Sequence, residues 1–293
     1  MARARQTIRQ LLRQPAHVYT RSERKVVRTL LADYPASGLG TVASLAERAG
    51  VSDPTVLRLV QKLGFRQFGE FQQAVLAEVS ERMSSPLTLL ASRRKALAQD
   101  DLYGAFLASA AHGLAGARDL IAEPEWDRAV ELAADRRQRI HCLGGRFSRF
   151  LAGYLWEHLR LLRRDCAWLD GSGAVLIDSL IDMTARDVIV VFDYRRYQPD
   201  VIAFAEQAVG SGAQLLLFTD GSGSPLARLA DAVIAAPVET ISPFDSLVPA
   251  LAQVEAFVAA VTARLGDKAR GRLSRLEALR AEMTNHVLVE KAD

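Results

Sequence analysis

The stretch Thr41–Phe65 reads TVASLAERAGVSDPTVLRLVQKLGF and contains two short helical patterns on either side of a glycine. The first pattern ends at Gly50, and glycine is the residue that most readily takes a positive φ at a helix end. Ser52 is placed to cap the second helix, and Pro54 falls in its first turn, where a missing N–H costs little. The stretch therefore predicts a helix-turn-helix.

The second helix of this pair has an apolar face and a polar face. Its apolar residues recur at helical spacing, at Val56, Leu59, Val60 and Leu63. The opposite face has Thr55, Arg58 and Lys62. A further helix, predicted over 22–34, supplies apolar side chains that can cover the pair. In a trihelical unit of this kind the last helix enters the major groove of DNA, so the pattern predicts DNA binding.

Charge distribution separates a DNA-binding unit from an ordinary helical hairpin, which has the same apolar spacing. Residues 1–85 have 13 lysines and arginines against 7 aspartates and glutamates, whereas the remaining residues have 24 against 27. A cationic excess confined to the segment with the helix-turn-helix is the expected footprint of binding to phosphates. The charge pattern therefore favours a nucleic-acid partner.

Helix geometry assigns DNA-contacting roles to six side chains, because residues early in a recognition helix reach bases while flanking residues contact the backbone. Base edges are assigned to Thr55, Arg58 and Gln61, and phosphates to Ser52, Lys62 and Arg66. Arg58 is the first choice for base readout, because arginine to guanine is the commonest specific contact. A single unit makes few contacts, so we expect a homodimer or tetramer on a palindromic double-stranded operator.

From residue 139 onward, short apolar runs alternate with helical stretches. The runs are 140–143, 167–169, 188–192, 215–218 and 232–235, and the helical stretches are about 149–163, 174–184, 199–211 and 225–230. Continuous apolar runs are typical of strands buried on both faces, and helices between them imply parallel crossovers. The fold class is therefore predicted as α + α/β, an all-α helix-turn-helix domain followed by a doubly wound parallel sheet.

Four segments are predicted along the chain. They are a helix-turn-helix domain over 1–85, a helical connector over 86–134, an α/β domain over 135–265 and a helical tail over 266–293. Ligands of doubly wound folds bind beyond the carboxyl ends of the strands, where the strand order reverses. The loops to inspect are therefore 144–148, 193–198 and 219–225.

Composition excludes several classes of protein. A hydrophobic content of 49% with 24% charged residues is that of a soluble globular chain, and no apolar run approaches the roughly 20 residues of a membrane helix. Two cysteines, Cys142 and Cys166, do not make a disulfide framework, so a cytoplasmic location is expected. The arginine-rich first 22 residues suit either a transit peptide or a short helix covering the DNA-binding unit. The five histidines are scattered without ligand spacing, so no metal or cofactor is expected.

Both halves resemble one known family. The segment VSDPTVLRLVQKLGF is similar to the recognition segment of the RpiR-type transcription regulators, which join a helix-turn-helix to a sugar isomerase (SIS) domain. In the second half, LGGRFSRFLA is similar to the Gly-x-Gly-x-Ser turn of the SIS domain, and FTDGSGSPLARLAD is similar to its Thr-Asp segment that ends in Ser-Pro-Leu. The resemblance implies a regulator whose affinity for DNA is changed by a phosphosugar or a related metabolite.

The ligand loops depart from the family pattern. Arg146 stands at the second glycine position of the family's Gly-x-Gly-x-Ser turn, and the sequence 193–198 (DYRRYQ) replaces Ser-x-Ser-Gly-x-Thr. Arginine binds carboxylate or phosphate bidentately, so the pocket is interpreted as rebuilt for an anionic effector. The candidate effector-binding residues are Arg146, Ser148, Tyr194, Arg195, Arg196, Thr219 and Ser222. In the alternative interpretation these bulky side chains fill the pocket, partnered by Asp193, and the domain only dimerises.

Three functions are therefore compared. The first is a DNA-binding regulator gated by a small anionic sugar or sugar phosphate, and the second is a constitutive DNA binder with a dimerisation scaffold. The third is a phosphosugar isomerase, which needs a base close to the substrate carbon. No pair among His141, Glu157, His158 and Glu239 has a spacing that marks catalysis, so no catalytic residue is assigned.

Overall fold

The computed structural model describes residues 8–13, 19–83, 86–171, 174–221 and 223–289. It divides into two compact units, Met1–Lys95 and Ala96–Asp293, called here the helical unit and the sheet unit. The division falls ten residues after the predicted boundary at 85. The segment predicted as a connector over 86–134 therefore belongs mostly to the sheet unit.

The helical unit consists of short helices. They are α1 (Ile8–Arg13), α2 (Arg21–Ala32), α3 (Ala36–Leu39), α4 (Val42–Ala49), α5 (Asp53–Lys62), α6 (Phe68–Met83), α7 (Pro86–Ser92) and α8 (Arg94–Leu97), the last spanning the boundary between the units. Its core combines the predicted apolar face of α5 with side chains of α2 and α6. The most deeply buried side chains are Val26, Leu30, Val56, Leu59, Phe71 and Val75.

Local signals set the ends of the helices in this unit. Thr20 and Glu23 form a capping box at the start of α2, in which each side chain accepts a hydrogen bond from the backbone of the other residue. Gly50 ends α4 with φ 61°, as predicted, so the chain turns sharply into α5. Ser52 is the N-cap residue of α5, but its side chain makes no capping hydrogen bond.

The sheet unit alternates helices and strands. Its elements are α9 (Leu102–Ala117), α10 (Glu123–Ala134), β1 (Arg139–Gly144), α11 (Arg149–Leu162), β2 (Cys166–Trp168), α12 (Ala174–Asp178), β3 (Asp187–Asp193), α13 (Pro199–Gly210), β4 (Gln214–Asp220), β5 (Ala232–Ala236), α14 (Val248–Leu265) and α15 (Asp267–Val289), with 3₁₀ turns at Arg118–Leu120 and Pro225–Arg228. All five predicted strands are confirmed.

The sheet is fully parallel, with the strand order β2-β1-β3-β4-β5. The order reverses between β1 and β3, so the loops after these two strands lie side by side at the carboxyl edge. The register pairs Gly144 with Phe192 and Asp193 with Thr219. The doubly wound parallel fold predicted for this half is therefore confirmed.

Two apolar layers cover the sheet. On one face α10, α11 and α14 pack against residues such as Ile140, Val190 and Phe218. On the other face α13 packs against Ile189 and Val191. The predicted helix over 174–184 is only one turn and a half long, because the chain passes from α12 through turns to Thr184 before β3 begins.

Among the described residues, α14 is the one helix long and apolar enough to cross a membrane by length and composition. Seven of its residues are buried in the sheet unit, and Val254, Phe257 and Val261 are completely inaccessible. Helices that are apolar because they lie in a protein core pass the same test.

The buried Arg163 binds backbone carbonyls at the end of α10 and just before β1. Arg163 is 2% exposed, and its Nη1 donates to the carbonyls of Ala133 (2.6 Å) and Asp135 (3.0 Å). Its Nη2 donates to the carbonyl of Gln138, and its Nε donates to that of Arg164 at 3.1 Å. Burial lowers the pKa of the guanidinium. Without this side chain, carbonyls at the end of α10 would lose their donors.

Replacing Arg163 with alanine should therefore lower the free energy of unfolding of the sheet unit by about 3 kcal/mol, because buried acceptors are left without partners. Urea denaturation followed by tryptophan fluorescence measures this unit selectively, since Trp126, Trp156 and Trp168 all lie in it. Arg164→Ala is the matched control. Its side chain is exposed, so the change should be within about 0.5 kcal/mol. Equal effects of the two substitutions would contradict the assigned role.

Candidate DNA interface and ligand crevice

One face of α5 is exposed and polar. Arg58 and Gln61 lie on it, and the Arg58 Nε donates to the carbonyl of Pro54 at 3.2 Å. This bond folds the guanidinium back along its own helix and leaves it accessible. Arg66 is exposed just beyond the helix, and its backbone N–H donates to Glu70 Oε2 at 2.8 Å. The sequence assigned these three side chains to DNA, and the structure leaves them available for it.

The structure differs from the prediction at Thr55. Its side chain is buried beside the apolar residues, with only 7% exposure, and its hydroxyl lies 3.2 Å from that of Ser52. Thr55 is only one position from the buried Val56, so it falls at the border of the apolar stripe instead of opposite to it. Ser52 is exposed and remains accessible.

Lys62 has a structural contact within the helical unit. Its Nζ lies 2.7 Å from Glu23 Oε2, and this carboxylate also closes the capping box at the start of α2. Burial alone would raise the pKa of Glu23, but hydrogen bonds from Lys62 and Thr20 hold it below its ordinary value. The ion pair therefore connects the end of α5 to the start of α2, a contact that the sequence pattern did not indicate.

Sequence reasoning also missed exposed residues beside the predicted ones. Leu57 lies on the open face of α5 with 39% exposure, next to Arg58. An apolar side chain at such a position can contact the methyl group of thymine. Lys25 and Arg28 are exposed on α2. Their signal in the sequence is the cationic excess of residues 1–85, which does not by itself say which cations face a partner.

In the sheet unit, the loops after β1 and β3 meet, as predicted. The hydroxyl of Ser148 donates to the carbonyl of Phe192 at 2.6 Å, and the N–H of Arg146 donates to Gln198 Oε1. The turn after β1 is tight, because a Cβ on Gly144 would lie 2.5 Å from the backbone nitrogen of Arg149. Glycine is therefore required at this position. These two loops, 144–148 and 193–198, lie where doubly wound folds bind ligands, and together they are called here the ligand crevice.

Arg195 is the most constrained arginine of the crevice. Its Nε and Nη2 donate to the two carboxylate oxygens of Asp245 at 3.0 and 2.7 Å, and its Nη1 lies 3.6 Å from Glu239 Oε1. The side chain is 5% exposed. Burial alone would lower its pKa, but Asp245 and Glu239 hold it above the ordinary value. The partner proposed from the sequence, Asp193, is wrong, because the carboxylates come from the segment between β5 and α14.

Tyr194 also differs from its predicted role. Its side chain is buried on the face of the sheet that α11 and α14 cover, and only 8% is exposed. Burial raises the pKa of its hydroxyl, which has no hydrogen-bond partner among the described residues. The even-numbered residues of β3 face this layer, and Tyr194 continues their alternation, so it points into the core.

Asp193 lies on the opposite face of β3 and is 3% exposed. It accepts a hydrogen bond from the Ser224 hydroxyl, while the backbone N–H of Ser224 donates to Thr219 Oγ1 at 3.3 Å. Burial raises the pKa of Asp193 to about 6, although the bond from Ser224 lowers it in part. Thr219 is 1% exposed, so its hydroxyl is used inside the fold. Ser222, predicted to bind the effector, lies outside the described residues.

Arg146 and Arg196 are the exposed arginines of the crevice. The Arg146 guanidinium lies 5.2 Å from the centre of the Phe147 ring, itself exposed. The two cations are thus accessible to an anion at the carboxyl edge. Within the described ranges, no group of three or more histidine, cysteine, aspartate or glutamate side chains could hold a metal ion.

A cleft of about 370 Å³ lies at the other end of the sheet. Its lining includes Gln138 and Gln214, which lie at or just before the amino ends of β1 and β4, and Arg264 near the end of α14. It is remote from the strand ends where ligands of doubly wound folds bind. Two of its arginines, Arg137 and Arg264, form ion pairs with acidic residues of the same lining.

Comparison with known proteins identifies both units. Residues 6–82 match the model of the helix-turn-helix domain, rpiR family, and residues 134–260 match that of the SIS domain. The chain is an RpiR-type transcription regulator. It is 27% identical over 267 residues to the HTH-type transcriptional regulator HexR of Pseudomonas aeruginosa, covering 88% of this chain and 90% of the relative. With the regulator RpiR of Escherichia coli K12 it shares 25% over 226 residues, 77% and 75% of the two chains.

Solved structures share the fold of this RpiR-type regulator. The sugar isomerase domain of the RpiR transcription factor from Sphaerobacter thermophilus aligns with a TM-score of 0.58 and 24% identity, over 61% of this chain and 99% of that one. The Vibrio vulnificus NanR protein complexed with ManNAc-6P aligns with a TM-score of 0.55 and 19% identity, over 94% and 98%.

Arg58→Ala in the RpiR-type regulator should relax the preference at one base pair of the operator by about 1–3 kcal/mol, because one bidentate contact to a base edge is lost. Competition binding with operators mutated singly at every position measures this loss. Arg28→Ala is the control, since it removes the same charge from α2 and should weaken all sequences alike. An unchanged base preference in Arg58→Ala would refute the assignment.

Asp193 should make the stability of the sheet unit fall as the pH rises from about 4 to about 6.5. The pKa of about 6 in the folded protein is above that of an unfolded aspartate. The protonated carboxyl therefore contributes its full stability below the unfolded pKa, and this contribution is lost as the pH rises through the folded pKa. The expected loss is about 2–3 kcal/mol. Tryptophan-monitored unfolding across this pH range measures it, and Asp193→Asn should remove that part of the slope. Parallel pH profiles of the two proteins would contradict the prediction.

Proposed function

We propose that this regulator binds its operator as a homodimer or tetramer and that a small anionic, sugar-related metabolite in the ligand crevice changes its affinity for DNA. The observation that carries the proposal is the contact of two loops at the strand-order reversal, which have the exposed cations Arg146 and Arg196. Ligands of doubly wound sheets bind at this place. Arginine suits a phosphate or carboxylate.

The chemistry of the ligand is supported by the fold. A protein of the same fold over nearly the whole chain, the Vibrio vulnificus NanR protein, has been solved with ManNAc-6P, a phosphorylated sugar. The sheet unit also shares its fold with the sugar isomerase domain from Sphaerobacter thermophilus. We therefore propose phosphorylated or carboxylated sugars as the effector class, acting on a cytoplasmic regulator.

The small contact surface of the helical unit supports a symmetric assembly. The exposed part of α5 offers few base-reading side chains, chiefly Arg58 and Gln61. Paired recognition helices read half-sites about 34 Å apart or a multiple of it, which makes the operator palindromic. The palindrome and the two-fold axis of the protein impose the same symmetry.

We propose that the regulator is not an enzyme. The relatives that match most of this chain are named transcriptional regulators. The hydrogen bond between His141 Nε2 and Asp187 Oδ1 (2.8 Å) resembles a catalytic pair, but both residues belong to the amino-terminal halves of their strands, away from the crevice. Asp187 also accepts hydrogen bonds from Arg139 and Thr184, so it is held as a structural carboxylate.

A second function, constitutive DNA binding with a scaffold that only dimerises, is favoured by one observation. The guanidinium of Arg195 is fully engaged by Asp245 and Glu239, so one of the three arginines expected to bind an effector is already neutralised within the fold.

Operator binding with and without metabolites separates the two functions. The purified chain is first allowed to select operator fragments from the genome of its host, and the operator affinity is then titrated against phosphorylated and carboxylated sugars. Gating predicts a change of about fivefold or more with at least one compound. Indifference to the whole panel would favour the constitutive binder, and conversion of a phosphosugar beyond stoichiometry would overturn the non-enzymatic assignment.

A further inference from the structure

The Asp245 carboxylate sits on Arg195 as an anionic ligand would. Two parallel N–H···O bonds of 3.0 and 2.7 Å join the fork of the guanidinium to both carboxylate oxygens. This bidentate geometry is the one that arginine uses to recognise carboxylates and phosphates. The side chain of Arg195 is 5% exposed, so its donors are shielded from water by the groups that occupy them.

The carboxylate comes from a segment that is not part of the sheet or of its covering helices. Asp245 is 20% exposed and belongs to the segment 237–247, which has neither helix nor strand and joins β5 to α14. This segment lies at the carboxyl edge of the sheet, where it begins directly after β5. The hydrogen bond from the Ser246 N–H to the Val238 carbonyl (2.9 Å) closes it into a loop.

A second acceptor of the chain occupies the turn after β1. Gln198 Oε1 accepts a hydrogen bond from the N–H of Arg146, and the same amide lies so close to Gly145 that a Cβ there would clash with it. Backbone N–H groups of such turns before a helix are common binding sites for anions. The Arg146 N–H and the Arg195 guanidinium therefore both have acceptors from the chain itself, namely Gln198 and Asp245.

We propose that Asp245 is a built-in competitor for the anionic group of the effector, and that Arg195 is the residue at which the two compete. A phosphate or carboxylate that takes the Arg195 fork displaces Asp245 and frees the segment 237–247. Because the segment leads directly into α14, a core helix of the sheet unit, its release connects occupation of the crevice to the packing of the domain. The inference rests on the proposed function and assigns its anion-binding residue.

Inorganic phosphate is the probe, since it shares its chemistry with every phosphorylated candidate. In Asp245→Asn the competing charge is gone and the amide keeps a similar shape. We expect phosphate to bind at least about tenfold more tightly than to the wild type, measured by calorimetry and by the rise in melting temperature with phosphate concentration. Arg195→Gln combined with Asp245→Asn should abolish that gain.

Glu206→Gln is the matched control. It removes one carboxylate from the ion pair of Arg228 with Glu206 (2.9 Å), which lies on the surface of the same unit. This variant should bind phosphate as the wild type does. If Asp245→Asn and Glu206→Gln bind phosphate equally, the competition does not exist and the inference is overturned.

A measurement on the wild type covers the case in which Asp245→Asn folds poorly. Hydrogen exchange of residues 237–247 is compared in phosphate and in chloride at equal ionic strength. Displacement of Asp245 predicts faster exchange in phosphate, at the Ser246 amide in particular, whereas unchanged or slower exchange overturns the inference.

The experiments distinguish this inference from the function on which it rests. If a metabolite changes operator affinity while Asp245→Asn leaves phosphate binding unchanged, the regulator is gated but Arg195 is not its anion site. If no metabolite changes operator affinity while Asp245→Asn gains phosphate binding, the competition is real and the gating is wrong.

Discussion

The parallel pairing of β1 with β3 determines where the sheet unit can bind a ligand. It joins strands that are separated in the sequence by a helix, another strand and a short helix, and it places Gly144 opposite Phe192. The Ser148 hydroxyl continues the contact past the strand ends by donating to the Phe192 carbonyl. The loops that follow are therefore held together before any ligand arrives. The two loops of the crevice are neighbours because of this register. A shift of a single residue would reverse the faces of β3.

The two units use their charged side chains in different ways. In the helical unit, Lys62 binds Glu23 and fixes the end of α5, which leaves Arg58 and Arg66 exposed on the outer surface. In the sheet unit, the buried Arg163 holds backbone carbonyls and Arg195 holds Asp245. Cations that look equivalent in the sequence thus divide into those that stabilise the fold and those that face solvent. Only the second group is ready for a partner without rearrangement.

The sequence was sufficient to predict the elements that depend on short-range signals. Apolar periodicity located α5 and the five strands, and Gly50 marked the end of α4, because helix ends and buried strands have strong short-range signals. The sequence also indicated that the loops after β1 and β3 meet. It did not indicate that Thr55 is buried, that Lys62 pairs with Glu23, or that Arg195 pairs with Asp245. Partners 39 and 50 residues apart in sequence depend on tertiary packing, and helical spacing alone does not encode them.

The shielding of Glu23 affects how the protein should respond to ionic strength. The Glu23 side chain is 8% exposed and that of Lys62 is 32% exposed, so mobile ions screen their contact less than one between two exposed groups. Salt should therefore weaken the binding of DNA before it loosens this ion pair. If DNA retention falls in concentrated electrolyte, the cause therefore lies in the contact surface, with the helical unit still intact.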